Sequence, residues 1–370
     1  MHARFLASLM HNTHHHPDGS LVAQVHNLDA QGRHHDAVDL LARETRQKNL
    51  AATTALGKRL VFGDRAPHLP VPGMEFLIEA AEQGSGEAAA QVAVFMALGL
   101  YVPQSWQGAL QMLVRSAGLG WSPAQGQVLA LAGNNAHVET ILAGSLIAAR
   151  WQQLGKDIDL AYWLSAATGS YLSDDPVVRQ FPNFIPTLTC QWLIELARDK
   201  LERAKVYSSA EKNTEVSDTR TNSCAVFHLM LTDMVNVLVQ ARMSATAGTR
   251  ISQMEAATVL HYDVGQQIMP HYDFIHPRSP DYEQQIAVSG QRNITFLVYL
   301  NDDYSGGETQ FVKLGIRHKG TTGSAVYFIN TTADQQPDLR TQHAGCPPTS
   351  SEKWLMSQFI RNATVIALPV

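Results

Sequence analysis

The sequence predicts an α+β multidomain chain, with an N-terminal α-helical repeat array followed by an antiparallel sandwich or jelly roll. Three observations predict it. Apolar runs of helical period recur at a fixed offset through the first half, and prolines then cluster at Ser173-Asp-Asp-Pro176 and Phe181-Pro-Asn-Phe-Ile-Pro186. Beyond them come short β-rich runs with turn signals between them and no alternating helices. The 370 residues, 45% hydrophobic and 16% charged, describe a folded chain large enough for two domains.

Residues 1–36 form a polar segment rich in histidine, with His11, His14, His15, His16, His34 and His35. A flexible terminus explains such a cluster better than a dedicated metal site does. The opening run Met1–Met10 is too short for a secretory h-region, and no stretch approaches the length of a membrane-spanning helix, so a cytoplasmic address is expected. Cys190, Cys224 and Cys346 are odd in number and widely spaced, which fits reduced thiols.

A helical repeat domain is expected over 37–175. Leu41, Leu77 and Leu113 stand 36 residues apart, as do Ala52, Ala88 and Ala124, and the set Leu56, Val92 and Val128. Each unit reads as two helices joined at a small residue, with Gly84-to-Ala88 and Gly120-to-Ala124 junctions. Stacked pairs of this kind share one continuous core and leave a concave face. The runs Ile141–Arg150 and Leu160–Leu164 continue or cap the array. The prolines near 176 mark the boundary, because proline disfavours helix at the residue before it.

A second domain follows over 176–370. It opens with an amphipathic helix, Leu188–Lys205, and continues with strand candidates Ala256–Tyr262, Ile294–Leu300, Thr309–Val312, Ser324–Ile329 and Trp354–Ile360. In Pro270-His-Tyr-Asp273, two potential ligands stand two residues apart, so on a strand His271 and Asp273 share a face. His343 offers a third donor. Two histidines and a carboxylate that leave coordination positions open form the facial triad of non-haem Fe(II) oxygenases. A formal charge of −5 supplies no broad basic field for nucleic acid.

The order of the surrounding motifs is more specific than the triad alone. Residues 37–135 resemble the Sel-one-like branch of the tetratricopeptide repeats. From about 178 to 370, four features follow in order: Tyr262 to Phe274, Arg292 to Asn301, Gly306-Gly-Glu-Thr309, and His343 with Lys353-Trp354 ten residues on. This order resembles the prolyl 4-hydroxylase branch of the Fe(II)/2-oxoglutarate dioxygenases, and Asp218–Ser223 is similar to that family's short Arg-Thr-Ser-type segment.

The resemblance implies a double-stranded β-helix of cupin-like form. It implies Fe(II) as metal, 2-oxoglutarate and O2 as cosubstrates, and ascorbate as reductant. By position, His271, Asp273 and His343 match the iron ligands, and Lys353 matches the cation for the distal carboxylate of 2-oxoglutarate. Tyr262 and Thr309 match hydroxyl donors to that carboxylate, and Arg292 matches an arginine near the mouth that faces substrate. Ile268 stands where the family commonly carries a second tyrosine, which weighs against strict prolyl specificity. Asp273 favours hydroxylation over halogenation, since related halogenases have a small residue at that position.

The expected reaction hydroxylates an unactivated C–H of an amino-acid residue in a peptide or protein, with release of succinate and CO2. Two other readings stay open: a hydroxylase of a free amino acid or natural-product intermediate, and a non-catalytic binding protein on a degenerate oxygenase fold. The repeats could also pair two copies of the chain as a homodimer.

Overall fold

The computed structural model describes residues 19–133, 148–208, 213–215, 217–279 and 281–365, together with Ser8. Most of the expected helical run at 141–150, and His11 with His14–His16, lie outside the described residues. No helix among the described residues is long and apolar enough to cross a membrane. The chain divides into two compact units, the first ending at Leu160 and taking in residues 230–237, the second beginning at Ala161.

The 36-residue offset reappears as geometry in the first unit. Helices begin at His34, Pro70 and Trp106, and their partners begin at Leu50, Gly86 and Ser122. All three members of each sequence triplet, among them Ala52, Ala88 and Ala124, are buried. Between paired helices the backbone turns left-handed at Lys48, Gly84 and Gly120, with φ of 63°, 105° and 88°. The first copy thus holds a lysine in a conformation that glycine adopts more easily. Asn49 and Ser85 cap the following helices by accepting from the backbone N–H of Ala52 and Ala88. Helix backbones approach closely at Gly73, where an added Cβ would fall 2.6 Å from Val61 N and 2.8 Å from Gly57 O.

Strands of the second unit begin with β1 (Ser170–Asp174), β2 (Val177–Phe181), β3 (Glu202–Arg203), β4 (Val206–Ser208), β5 (Asn213–Glu215) and β6 (Ser223–Phe227). They continue with β7 (Ala257–Tyr262), β8 (Ile268–His271), β9 (Arg292–Tyr299), β10 (Ser305–Gly306) and β11 (Thr309–Phe311). The last are β12 (Ile316–His318), β13 (Ala325–Ile329), β14 (His343–Gly345), β15 (Pro348–Ser350) and β16 (Lys353–Arg361). The main sheet has the order β1-β2-β13-β9-β16-β7-β6-β3, and a second has the order β12-β11-β14-β8. All pairings are antiparallel. The inner faces share one core: Leu260, Leu297, Val326 and Leu355 from the main sheet meet Phe311 from the smaller one. Phe311 and Phe328 pack edge to face across the gap at 5.0 Å.

Two local expectations change. The helix read as Leu188–Lys205 runs Thr187–Arg198, because the chain from Glu202 pairs with Cys224 as an edge strand. The sheet also starts at Ser170, within the stretch read as a continuation of the helices, because Ser170–Asp174 pairs with Val177–Gln180.

Candidate functional site

His271 ends β8 and His343 opens β14, and these two residues are register partners. Their rings lie 4.4 Å apart. Asp273 follows two residues later and is buried, as is His343, whereas His271 is partly open. One ligand atom from each of the three residues can be chosen so that all lie within 4.8 Å of one another. The His271 Nδ1 stands 2.9 Å from Met269 O, and the His343 Nδ1 stands 3.0 Å from Thr341 O. A carbonyl only accepts, so each Nδ1 donates, and in the neutral ring each Nε2 is left with its lone pair.

Those Nε2 atoms sit 3.5 and 3.3 Å from the two Asp273 oxygens. Lone pairs facing a carboxylate repel unless protons or a cation lie between them. The donor set therefore fits a divalent metal ion, with backbone carbonyls fixing both rings. Burial works against an ionised Asp273, yet His343 and His271 hold its carboxyl well below the usual range. Burial likewise opposes a charged His343, and the adjacent Asp273 outweighs it, raising the imidazole.

Asp273 has a further partner that sequence reasoning did not single out. Thr295 donates from Oγ1 to Asp273 Oδ2 at 2.7 Å, and Asn330 donates from Nδ2 to Thr295 Oγ1 at 2.9 Å. Neither residue has a motif of its own. Alternation along β9, with Leu297 and Tyr299 facing inward, was the available signal for Thr295.

Deeper in the core, β16 pairs Lys353 with Tyr262 of β7. Lys353 is fully buried, its Nζ donates to Gly307 O at 2.8 Å, and no ion pair to it occurs among the described residues. Burial pushes its pKa down to about 8. The ammonium lies 5.0 Å from the Tyr262 ring centroid and 5.9 Å from that of Tyr299. Thr309 is buried and shares a 2.9 Å hydrogen bond with the Tyr299 hydroxyl. Tyr299 also escaped the sequence reading. It lay within a quoted run, and only the fold shows its hydroxyl reaching Thr309.

Arg292 is held by a two-pronged pair to Glu255 at 2.7 and 2.9 Å, and Arg361 donates to the same Glu255. His261 faces away from Tyr262's side of the strand, packs tilted against Trp354 and meets Glu352 at 2.9 Å. His276 accepts from Arg278 N in its loop. His318 turns inward, because β12 pairs it with Thr309. The Asp218–Ser223 segment runs beside β8, with Thr221 N donating to Gln267 O and Met269 N to Thr219 O.

The profile of the 2OG-Fe(II) oxygenase superfamily matches residues 257–361, which hold the triad and Lys353. Prolyl 4-hydroxylase 2 of Arabidopsis thaliana is 30% identical over 210 residues, spanning 51% of this chain and 68% of that protein. Prolyl 4-hydroxylase subunit alpha-1 of Rattus norvegicus is 28% identical over 187 residues, and the match spans 50% of this chain but only 35% of that subunit. Among solved structures, the viral collagen prolyl hydroxylase of Paramecium Bursaria Chlorella virus-1 aligns with a TM-score of 0.37 at 22% identity, over 50% of this chain and 94% of that one. A Sel1 repeat protein from Oxalobacter formigenes aligns with a TM-score of 0.29 at 18% identity, over 44% of this chain and 68% of that one.

The chain belongs to the 2OG-Fe(II) oxygenase superfamily, and its relatives there include prolyl 4-hydroxylases. It is a dioxygenase that uses Fe(II), 2-oxoglutarate and O2.

Proposed function

We propose that this enzyme hydroxylates an unactivated C–H of an amino-acid residue, of prolyl type or another, in a peptide or protein. In this reading His271 and His343 bind Fe(II) through Nε2 and Asp273 binds it through a carboxylate oxygen. Lys353 takes the distal carboxylate of 2-oxoglutarate, with Tyr262 and Thr309 lining that end. The observation that carries the reading is the buried Lys353 ammonium, with no acid partner among the described residues, in the same core as the triad. A buried cation without a counter-charge is costly, and a dicarboxylate cosubstrate would supply that charge.

The metal and 2-oxoglutarate would supply the oxidising chemistry when both are bound, with ascorbate as the reductant. The chain's own work is positional. Met269 O and Thr341 O fix the imidazoles, Thr295 and Asn330 fix Asp273, and the apolar wall of Phe311 and Phe328 excludes water on one side of His343. The partly open His271 marks the side from which substrate would approach.

Relatives named prolyl 4-hydroxylases support a prolyl-type substrate. Ile268, partly buried against the core, offers no hydroxyl there and leaves other residues open as targets. The helical repeats of 37–175 suit recognition of a chain or of a second copy, and the oxygenase domain would occupy 176–370. The test is mass spectrometry of candidate peptides and proteins incubated with the enzyme, Fe(II), 2-oxoglutarate and ascorbate. Gain of one oxygen on a residue, matched by succinate, is expected. Robust gain on free amino acids with none on any peptide would overturn the peptide reading.

A further inference from the structure

Lys353, which has no acid partner among the described residues, is not the only buried polar group left incompletely matched in the core of the second unit. The Tyr304 hydroxyl and the His318 Nε2 are both shielded from solvent and accept or donate no hydrogen bond among the described residues. Buried polar atoms in native proteins are nearly always paired, so an orphan calls for an explanation. Both stand near Lys353.

His318 packs edge-on against the Tyr299 ring at 5.5 Å, and it is the register partner of Thr309, whose hydroxyl the Tyr299 hydroxyl meets. Tyr304 lies against Gly307, as the Lys353 stem does. A Cβ at that glycine would lie 2.7 Å from Tyr304 Cε2 and 3.3 Å from Lys353 Cδ. Lys319 holds the Tyr304 segment, its Nζ donating to Tyr304 O and lying 4.6 Å from the ring centroid. Burial and the Lys353 charge together keep His318 from taking up a proton.

An ammonium has three N–H donors, and Gly307 O takes one. A carboxylate presents about four lone-pair positions, more than the two N–H groups left on Lys353 and the Tyr262 hydroxyl can fill, and the Thr309 hydroxyl is already engaged with Tyr299. We infer that Tyr304 and His318 are cosubstrate-positioning residues, whose hydroxyl and Nε2–H donate alongside Lys353 to the distal carboxylate of 2-oxoglutarate. The inference rests on the function proposed above, because it takes 2-oxoglutarate as the ligand. It assigns two groups that neither the triad nor the Lys353 clamp requires.

The experiment is calorimetric titration of the full chain, loaded with Mn(II) in place of Fe(II), with 2-oxoglutarate. Wild type, Tyr304→Phe and His318→Phe are compared, and each variant's Mn(II) affinity and melting temperature without ligand are measured beside it. Each variant should bind 2-oxoglutarate about tenfold more weakly or worse, as expected for a lost hydrogen bond to a charged group. Mn(II) affinity should not change. The melting temperature should hold or rise, since each substitution removes an unpaired buried polar atom.

Unchanged 2-oxoglutarate affinity in both variants, with wild type binding normally, would overturn the inference and leave the proposed function standing. A clear fall in melting temperature in both would mark structural roles and overturn it equally. Failure of the wild-type protein to bind 2-oxoglutarate would bring down the proposed function and this inference together.

Discussion

In the helical array the buried positions are mostly alanine, leucine and valine spaced by 36 residues, whereas the core of the sheet unit buries Asp273, Thr309, His343 and Lys353 among its aromatics. In the array Asn49 and Ser85 cap helices, and the buried Asp29 is met by Arg59 and His34. The sheet unit instead leaves a lysine without an acid and two imidazole lone pairs facing a carboxylate. A repeated core can be stable with nothing bound. A core holding unbalanced charge is built around something it binds, and removing that charge should damage function far more than fold.

The comparison breaks most visibly at the triad. His271→Ala, Asp273→Ala and His343→Ala should each abolish 2-oxoglutarate turnover while far-ultraviolet circular dichroism stays unchanged. Near-wild-type turnover in any one of them would remove that residue from the metal set. Next in size, Lys353→Ala should raise the KM for 2-oxoglutarate by a factor of hundreds, since truncating one partner of a buried charge pair costs about 3–5 kcal/mol. An unchanged KM would move the clamp elsewhere, with the buried Arg361 the next cation to test.

A third effect follows from the Lys353 pKa near 8. Below that pH the ammonium is already charged. Above it the free protein holds a neutral amine, so binding a carboxylate must first take up a proton. Affinity for 2-oxoglutarate should therefore weaken as pH rises beyond about 8, approaching tenfold per unit, and titrations across pH 7–9 would show it. A flat profile would mean that Lys353 keeps its charge in the free protein.

The smallest effect tests the other side of the comparison. Gly73→Ala puts a Cβ 2.6 Å from Val61 N and should cost about 1–3 kcal/mol in the array, read as a lower melting temperature. The KM for 2-oxoglutarate should not move. A large change in KM would show that the two units are coupled more tightly than their separate cores suggest.

The regular parts of the molecule were legible in the sequence. The 36-residue spacing of Leu41, Leu77 and Leu113 marks a periodic core, and runs such as Ile294–Leu300 hold the β-branched and aromatic residues that strands favour. His271, Asp273, His343 and Lys353 were legible because their order along the chain is distinctive. Thr295, Tyr299, Tyr304 and Asn330 were not, since each is an ordinary residue until strand register sets it beside a partner. His318 was not legible either, since only the pairing of β12 with β11 turns its ring toward Tyr299. Nothing in the polar run from Gly315 to Gly320 reveals that pairing.

The central claim is that the triad and Lys353 form one site for metal and cosubstrate. Its most direct test is conversion of 2-oxoglutarate to succinate by the Fe(II)-loaded full chain, measured for wild type, Asp273→Ala and Lys353→Ala over a range of 2-oxoglutarate concentrations. The account predicts turnover by wild type, none by Asp273→Ala at any concentration, and turnover by Lys353→Ala that returns only when 2-oxoglutarate is raised far above the wild-type KM. Equal turnover by all three proteins at low 2-oxoglutarate would contradict it.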